Sequence, residues 1–143
     1  MSSGPGQRRL DLVVPVLNEA HVLPTTVPRL WSFVRQNLSS WDVVITIADN
    51  GSTDGTAQAA GRLAARLDGV RWWSTPIRGR GAALKRAWLL SESDVLAYVD
   101  VDLSTDLAAL RPLVERVHEG WDLAIGSRLL PASQVERRLH REI

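Results

Sequence analysis

The sequence contains no cysteine, which excludes a disulfide framework, thiolate metal sites, iron–sulfur clusters and thiol catalysis. It also has almost no surplus charge: 17 Lys and Arg stand against 16 Asp and Glu, for a formal net charge of +1. Nucleic-acid binding is disfavoured, because it needs a clustered excess of cations rather than a mixed surface. No apolar run approaches the about 18–20 residues of a membrane span, and the start of the chain lacks the apolar core of a signal peptide, so the expected location is cytoplasmic. G-x-G-x-x-G after the first apolar run, G-x-x-x-x-G-K-[ST] and G-x-S-x-G are all missing, which disfavours dinucleotide, P-loop and serine-hydrolase chemistry.

What is present is one ordinary domain's worth of chain. With 143 residues, 45% of them hydrophobic, a core can form without staples, since a chain of this length buries about 70% of the surface it exposes when unfolded. Residues 1–9 are polar and Gly/Pro-bearing and read as a disordered lead-in. At the other end Arg137, Arg138, Leu139, His140, Arg141, Glu142 and Ile143 read as a helix under way with no closing signal, so a C-terminally truncated domain over residues 10–143 is expected.

Between these ends strands and helices alternate. Residues 10–16 form a continuous apolar run suited to a strand covered on both faces. In residues 20–38 Leu23, Val27, Leu30, Phe33 and Val34 recur at helical steps, with Pro24 and Pro28 disturbing the first turns. Residues 43–48 predict strand two, and Ala57, Ala60, Ala64 and Leu67 predict a helix after it. Residues 70–74 and 95–99 predict strands three and four, with a helix over residues 82–90 between them. Leu107, Leu110, Leu113, Val114 and Val117 carry a further helix that Pro112 either delays or bends, and residues 123–125 are expected to be a fifth strand. Such alternation implies right-handed crossovers and an open, mostly parallel α/β sheet with helices on both faces. Ligands then sit beyond the carboxyl ends of the strands, at residues 15–19, 49–55, 78–81, 100–104 and 126–128.

Asp100 and Asp102, separated by one residue at the end of an apolar run, can face one ligand and offer hard oxygen donors to a divalent cation that holds a diphosphate. Taken alone, the pair is equally a cap for the following helix. Asp49 can accept hydrogen bonds from a base or ribose, whereas Thr53 and Asp54 are helix-capping types. Arg78, Arg80 and Lys85 surround Gly79 and Gly81, where missing side chains let backbone N–H groups approach an anion at a helix start; the plainer alternative is a solvated basic turn. Asn18 and Glu19 also serve as a helix entry. His21, His118 and His140 have no mutual metal-ligand spacing, and the six tryptophans are too dispersed for a stacking platform and read as core. Trp72 and Trp73, adjacent in a strand, point to opposite faces.

In order along the chain, VVPVLNEA (residues 13–20), ADNGSTDGT (48–56), RGRGAALKRA (78–87), YVDVDLSTD (98–106) and IGSR (125–128) resemble family 2 glycosyltransferases, most closely the polyprenyl-phosphate (dolichyl-phosphate) mannose or glucose synthases. The resemblance implies the GT-A nucleotide-diphosphosugar transferase fold, a Mg²⁺ or Mn²⁺ ion, and inverting transfer of a hexose from a GDP-mannose or UDP-glucose type donor. A lipid-phosphate acceptor at the cytoplasmic face of the membrane follows from the same branch, in cell-envelope glycan assembly. By position, Pro15, Glu19 and Asp49 would line the nucleotide pocket, Arg80 and Lys85 would flank the nucleotide and diphosphate, Asp100 and Asp102 would form the metal–diphosphate site, and Arg128 would face the acceptor phosphate. Three departures stand out: Leu17 where the family often has an aromatic residue, Asn50 for a frequent second Asp, and Ser104 where lipid-phosphate synthases often place Gln. The alternatives are a noncatalytic nucleotide-sugar-binding module and a sugar-1-phosphate nucleotidyltransferase; the latter is disfavoured because residues 14–20 contain no glycine.

Overall fold

A computed structural model of the chain describes residues 6–104 and 106–126. Its elements are β1 (Arg8–Val16), α1 (Leu23–Asn37), β2 (Trp41–Asp49), α2 (Thr56–Arg66), β3 (Val70–Ser74), α3 (Arg80–Leu90), β4 (Val95–Tyr98), a short 3₁₀ turn (Leu107–Ala109) and α4 (Leu110–His118). β1 starts at Arg8, so the expected lead-in over residues 1–9 loses its last two residues to the sheet, where Arg8 pairs with Trp41 and Arg9 with Asp42. Residues 123–125, expected as a fifth strand, are irregular, and Leu123 and Ile125 are largely exposed. Three apolar residues make a strand only with a neighbour to pair with, and no strand beyond β4 is available among the described residues.

The four strands form one parallel sheet in the order β3-β2-β1-β4. β1 and β2 pair over nine residues, from Arg8 opposite Trp41 to Val16 opposite Asp49. Residues 10–16 of β1 are all buried, as a continuous apolar run in a central strand requires. Leu10, Leu12, Val14 and Val16 face one side and pack with Leu23, Val27, Leu30 and Val34 of α1, Ala59, Ala60 and Leu63 of α2, and Leu110 and Val114 of α4. Val13 and Ala48 face the other side and pack under Ala83, Leu84 and Ala87 of α3.

Handedness explains this division. The path β1–β2–β3 walks one way across the sheet and returns over one face through α1 and α2; β3 to β4 crosses back the other way, so a right-handed crossover puts α3 on the opposite face. Trp72 and Trp73 do point apart. Trp72 lies against Gly61 of α2, where an added Cβ would sit 3.5 Å from its indole nitrogen, and Trp73 joins the α3 cluster beneath the Arg86 guanidinium. The reading of the tryptophans as core holds for Trp41 but not for Trp72 or Trp121, which are exposed. Pro24 and Pro112 fall in the first turns of α1 and α4, where no intrahelical donor is needed, whereas Pro28 lies inside α1, where its missing N–H removes an intrahelical hydrogen bond without ending the helix.

One charge is buried within the sheet. Asp11 is fully buried on the α3 face and accepts from Thr46 Oγ1 at 2.7 Å and from Arg71 Nη2 at 2.6 Å, while Arg71 Nε donates to Thr46 Oγ1 at 2.8 Å. The three residues close a network across β1, β2 and β3 that satisfies the carboxylate. Arg71→Ala strands that carboxylate without its cation and is expected to cost about 3 kcal/mol in urea unfolding, the low end for breaking such a pair because Arg71 itself is half exposed. Unchanged stability would mean that water replaces the guanidinium.

Candidate active site

β1 and β4 are adjacent where the strand order reverses, and a cleft of about 380 Å³ opens at their carboxyl ends. Its wall is formed by Pro15 and Val16 at the end of β1, Leu17 and Glu19 after it, Asn50 after β2, Gly79 and Arg80 at the start of α3, and Asp100, Val101 and Asp102 after β4. Five of the residues nominated from the sequence, Pro15, Glu19, Arg80, Asp100 and Asp102, thus meet in one place. A separate apolar groove of about 250 Å³ runs along β4 and α4, and of the aspartate pair only Asp100 reaches its edge.

The two aspartates share a side for a reason other than the expected strand alternation. β4 ends at Tyr98, and Asp100 begins a turn closed by the Leu103 amide on the Asp100 carbonyl at 3.0 Å. Between the carboxylates Val101 is drawn into the core, and that burial turns both toward the cleft. Leu103 completes the turn with φ +50°, a left-handed conformation that costs a branched residue about 1–2 kcal/mol. Asp102 Oδ1 accepts from the Ser104 amide at 3.0 Å, and Asp100 Oδ1 lies 3.3 Å from Arg80 Nη1.

Arg80 is the first residue of α3, and the N-cap Gly79 has φ +126° and no side chain to cap the helix. The helix therefore presents its first-turn N–H groups and a guanidinium together, an arrangement suited to a phosphate. Lys85 lies further along α3, exposed and off the cleft wall.

Asp49 also lies behind the wall rather than on it. It is 1% exposed and accepts from the Ser52 amide at 3.2 Å, from Ser52 Oγ and from Ser74 Oγ at 2.6 Å. Its neighbour Asn50 takes the wall position: its side chain is buried, and its Oδ1 has no hydrogen-bond partner. Asn50 was not nominated from the sequence, although its place directly after a buried strand end was the available signal. An acceptor held out of water in a cleft favours a ligand that brings an N–H or O–H. Arg128 lies outside the described residues.

Most of the polar loop after β2 does scaffolding. The Asn18 amide donates to Ser52 Oγ at 2.8 Å, and Asn18 Oδ1 accepts from the Thr53 amide at 2.9 Å, with Asn18 in a left-handed conformation at φ +52°. The Glu19 amide donates to Thr56 Oγ1 at 2.9 Å, while Asp54 accepts from the Thr56 amide and hydroxyl and from the Ala20 amide. Asp54 thus caps the first turn of α2, as its residue type predicts, and ties the β1 loop to it. Its hydrogen bond from the Thr56 hydroxyl leads the causes that hold its carboxyl below the ordinary 3.8.

The residues fit a divalent cation in part. Among the described residues no three His, Cys, Asp or Glu side chains gather to cage one. Two carboxylates facing a cleft beside a phosphate-suited helix start are nevertheless the donor set of an ion that takes its remaining ligands from substrate phosphate and water.

The chain has the GT-A fold of nucleotide-diphosphosugar transferases, on the strength of its likeness to solved structures. Two solved structures share this fold. A mannosyltransferase from Pyrobaculum calidifontis, in complex with GDP-Man and Mn²⁺, superposes on 71% of this chain and 30% of its own with a TM-score of 0.58 at 24% identity. Glucosyl-3-phosphoglycerate synthase from Mycobacterium tuberculosis, in complex with Mn²⁺, UDP and glucosyl-3-phosphoglycerate, covers 77% of this chain and 39% of its own with a TM-score of 0.55 at 27% identity. The glycosyl transferase family 2 sequence model matches residues 11–142, and the chain belongs to that family. Similar relatives include glycosyltransferase AglD of Haloferax volcanii, 37% identical over 94% of this chain and 22% of its own length. Polyprenol monophosphomannose synthase of Mycolicibacterium smegmatis is 38% identical over 92% of this chain and 49% of its own. Dolichol-phosphate mannosyltransferase of Pyrococcus furiosus is 27% identical over 90% of this chain and 35% of its own. The chain therefore spans between about a fifth and a half of the length of these curated relatives.

Two consequences of the scaffold are measurable. Asn18→Ala removes the acceptor for the Thr53 amide and places alanine at a positive φ, and is expected to cost about 1–2 kcal/mol in thermal or urea unfolding, with Asn18→Gly losing less. Because the folded-state pKa of Asp54 is depressed, its contribution to stability is complete above 3.8 and is lost as pH falls through the folded value. Asp54→Asn should accordingly show a shallower fall in stability with pH below 3.8 than the parent protein; parallel curves would assign the acid sensitivity to another carboxylate.

Proposed function

We propose that this chain carries the donor site of a metal-dependent, inverting hexosyltransferase that moves a hexose from a nucleotide diphosphosugar of the GDP-mannose or UDP-glucose type to a polyprenyl phosphate. The single observation that carries the reading is the meeting of Asp100, Asp102, Arg80 and the open start of α3 on one cleft at the switch point. Mn²⁺-bound nucleotide complexes of two fold neighbours support it, and the names of the polyprenol- and dolichol-phosphate relatives support the acceptor class.

In this reading Asp100 and Asp102 hold Mg²⁺ or Mn²⁺ against the donor diphosphate. The ion supplies Lewis-acid neutralisation of the charge that grows on the departing nucleoside diphosphate. Arg80 and the α3 N–H groups bind the diphosphate oxygens, and Pro15, Leu17, Glu19 and Asn50 form the wall against the nucleoside. Asp49 acts on that wall from behind by setting the loop that carries Asn50, and Lys85 adds positive potential along α3. Arg128 is the proposed contact to the acceptor phosphate. A phosphate acceptor is already anionic near its second pKa of about 6, so it attacks the anomeric carbon without a side-chain base. Direct attack on the face opposite the leaving group inverts the anomeric centre. Among the described residues no helix is long and apolar enough to cross a membrane; the names of the lipid-phosphate relatives support a site of action at the cytoplasmic face of a membrane.

Calorimetric titration of the chain with GDP or UDP and Mn²⁺, followed by transfer to polyprenyl phosphate, tests the reading. Asp102→Asn is expected to weaken metal-dependent diphosphate binding at least tenfold with an unchanged circular dichroism spectrum. Metal dependence equal to that of the parent would remove Asp102 from the site. Binding without transfer would identify the second reading, a nucleotide-sugar-binding module.

A further inference from the structure

The cation and Arg80 have a claim on the same carboxylate. Arg80 Nη1 stands 3.3 Å from Asp100 Oδ1, an ion pair that bridges the start of α3 and the turn after β4 across the cleft. Arg80 is also the first residue of α3 and lines the cleft beside its open N–H groups, so a diphosphate arriving there draws on the same side chain. The Arg80 side chain is 63% exposed and that of Asp100 is 38% exposed, so the pair is held weakly and the long arginine is free to swing. The unpartnered Oδ1 of buried Asn50 on the same wall independently marks the cleft as a place completed by a ligand.

We propose that Arg80 is an internal counter-ion for Asp100 in the nucleotide-free protein, and that a nucleoside diphosphate, by taking the guanidinium onto its phosphates, releases Asp100 to the divalent cation. The proposal rests on the donor-site reading above and adds to it an order of events. Without nucleotide, a cation meets a carboxylate whose charge is already balanced, and it binds weakly. With diphosphate in the cleft the competing cation has moved, and the metal gains both a freed carboxylate and phosphate oxygens. Diphosphate and metal are then coupled through Arg80, and by linkage each raises the affinity of the other by the same factor. An exposed pair of this kind is worth about two- to fivefold in an equilibrium constant, and that is the size of the Arg80 contribution.

The test measures the Mn²⁺ dissociation constant by electron paramagnetic resonance of free Mn²⁺, with and without saturating GDP or UDP, for the full chain and for Arg80→Ala, Arg80→Gln and Arg86→Ala. Removing the Arg80 guanidinium should tighten Mn²⁺ binding about two- to fivefold in the absence of nucleotide, weaken metal-free diphosphate binding, and shrink the coupling factor between the two ligands by the same two- to fivefold. Arg80→Gln, which keeps the length of the side chain, should behave like Arg80→Ala. Arg86→Ala removes an equal charge from the same helix but stacks on Trp73 rather than meeting Asp100, and should leave nucleotide-free Mn²⁺ binding unchanged. Equal nucleotide-free Mn²⁺ affinity in the parent and both Arg80 variants overturns the proposal, as does a gain matched by Arg86→Ala, which would reflect net charge alone. If the parent chain itself binds no Mn²⁺ with either nucleotide, the donor-site reading fails along with it, whereas Mn²⁺–diphosphate binding with unaltered coupling in the Arg80 variants sinks the counter-ion role alone.

Discussion

Right-handed crossover sets the plan of this protein. A parallel sheet that adds strands first to one side and then to the other places the crossover helices of the two directions on opposite faces. Here the reversal falls between β1 and β4. The separation of the two apolar clusters follows from that constraint, and the cleft lies at the reversal. Moving β4 to the outer edge of β3 would leave the same residues in the chain with no cleft between them.

Within that plan the polar residues divide into two kinds of work. Asp49, Ser52, Asp54, Thr56 and Asn18 spend their hydrogen bonds on one another, joining the loops after β1 and β2. Asp100, Arg80 and Asn50 instead hold groups toward the cleft that a ligand can still claim. The two sets are dense in the same residue types, and only the geometry separates them. Among the described residues the two non-glycine positions with positive φ, Asn18 and Leu103, lie in the loops that follow β1 and β4, the strands whose ends flank the cleft.

An ion pair across the cleft gives the nucleotide-free state a defined electrostatic content. A bare pair of carboxylates would repel itself and attract any passing cation, whereas one balanced by Arg80 presents a more neutral face until an anion competes for the guanidinium. The net charge of the chain is close to zero, so the potential at the cleft is set by local groups such as this pair rather than by a long-range field.

Much of the protein could be read from one dimension. The buried run of β1, the helical steps of Leu23, Val27, Leu30 and Val34, and the Asp-Val-Asp step at a strand end are local patterns, and secondary structure and parallel connectivity follow from local patterns plus the fixed hand of the crossover. The five sequence blocks read as a family resemblance likewise lie within the span that matches glycosyl transferase family 2. Three things needed the fold. Asp49 and Asn50 exchange places relative to the cleft because the former is drawn inward by Ser52 and Ser74, one of them 25 residues away in sequence. The expected strand at residues 123–125 lacks a described neighbour, since a strand is defined by its partner and not by its own composition. Finally, Arg80, at the start of α3, and Asp100, after β4, meet only through the crossover that joins the two edge strands of the sheet, and charge pairing across it leaves no periodic trace.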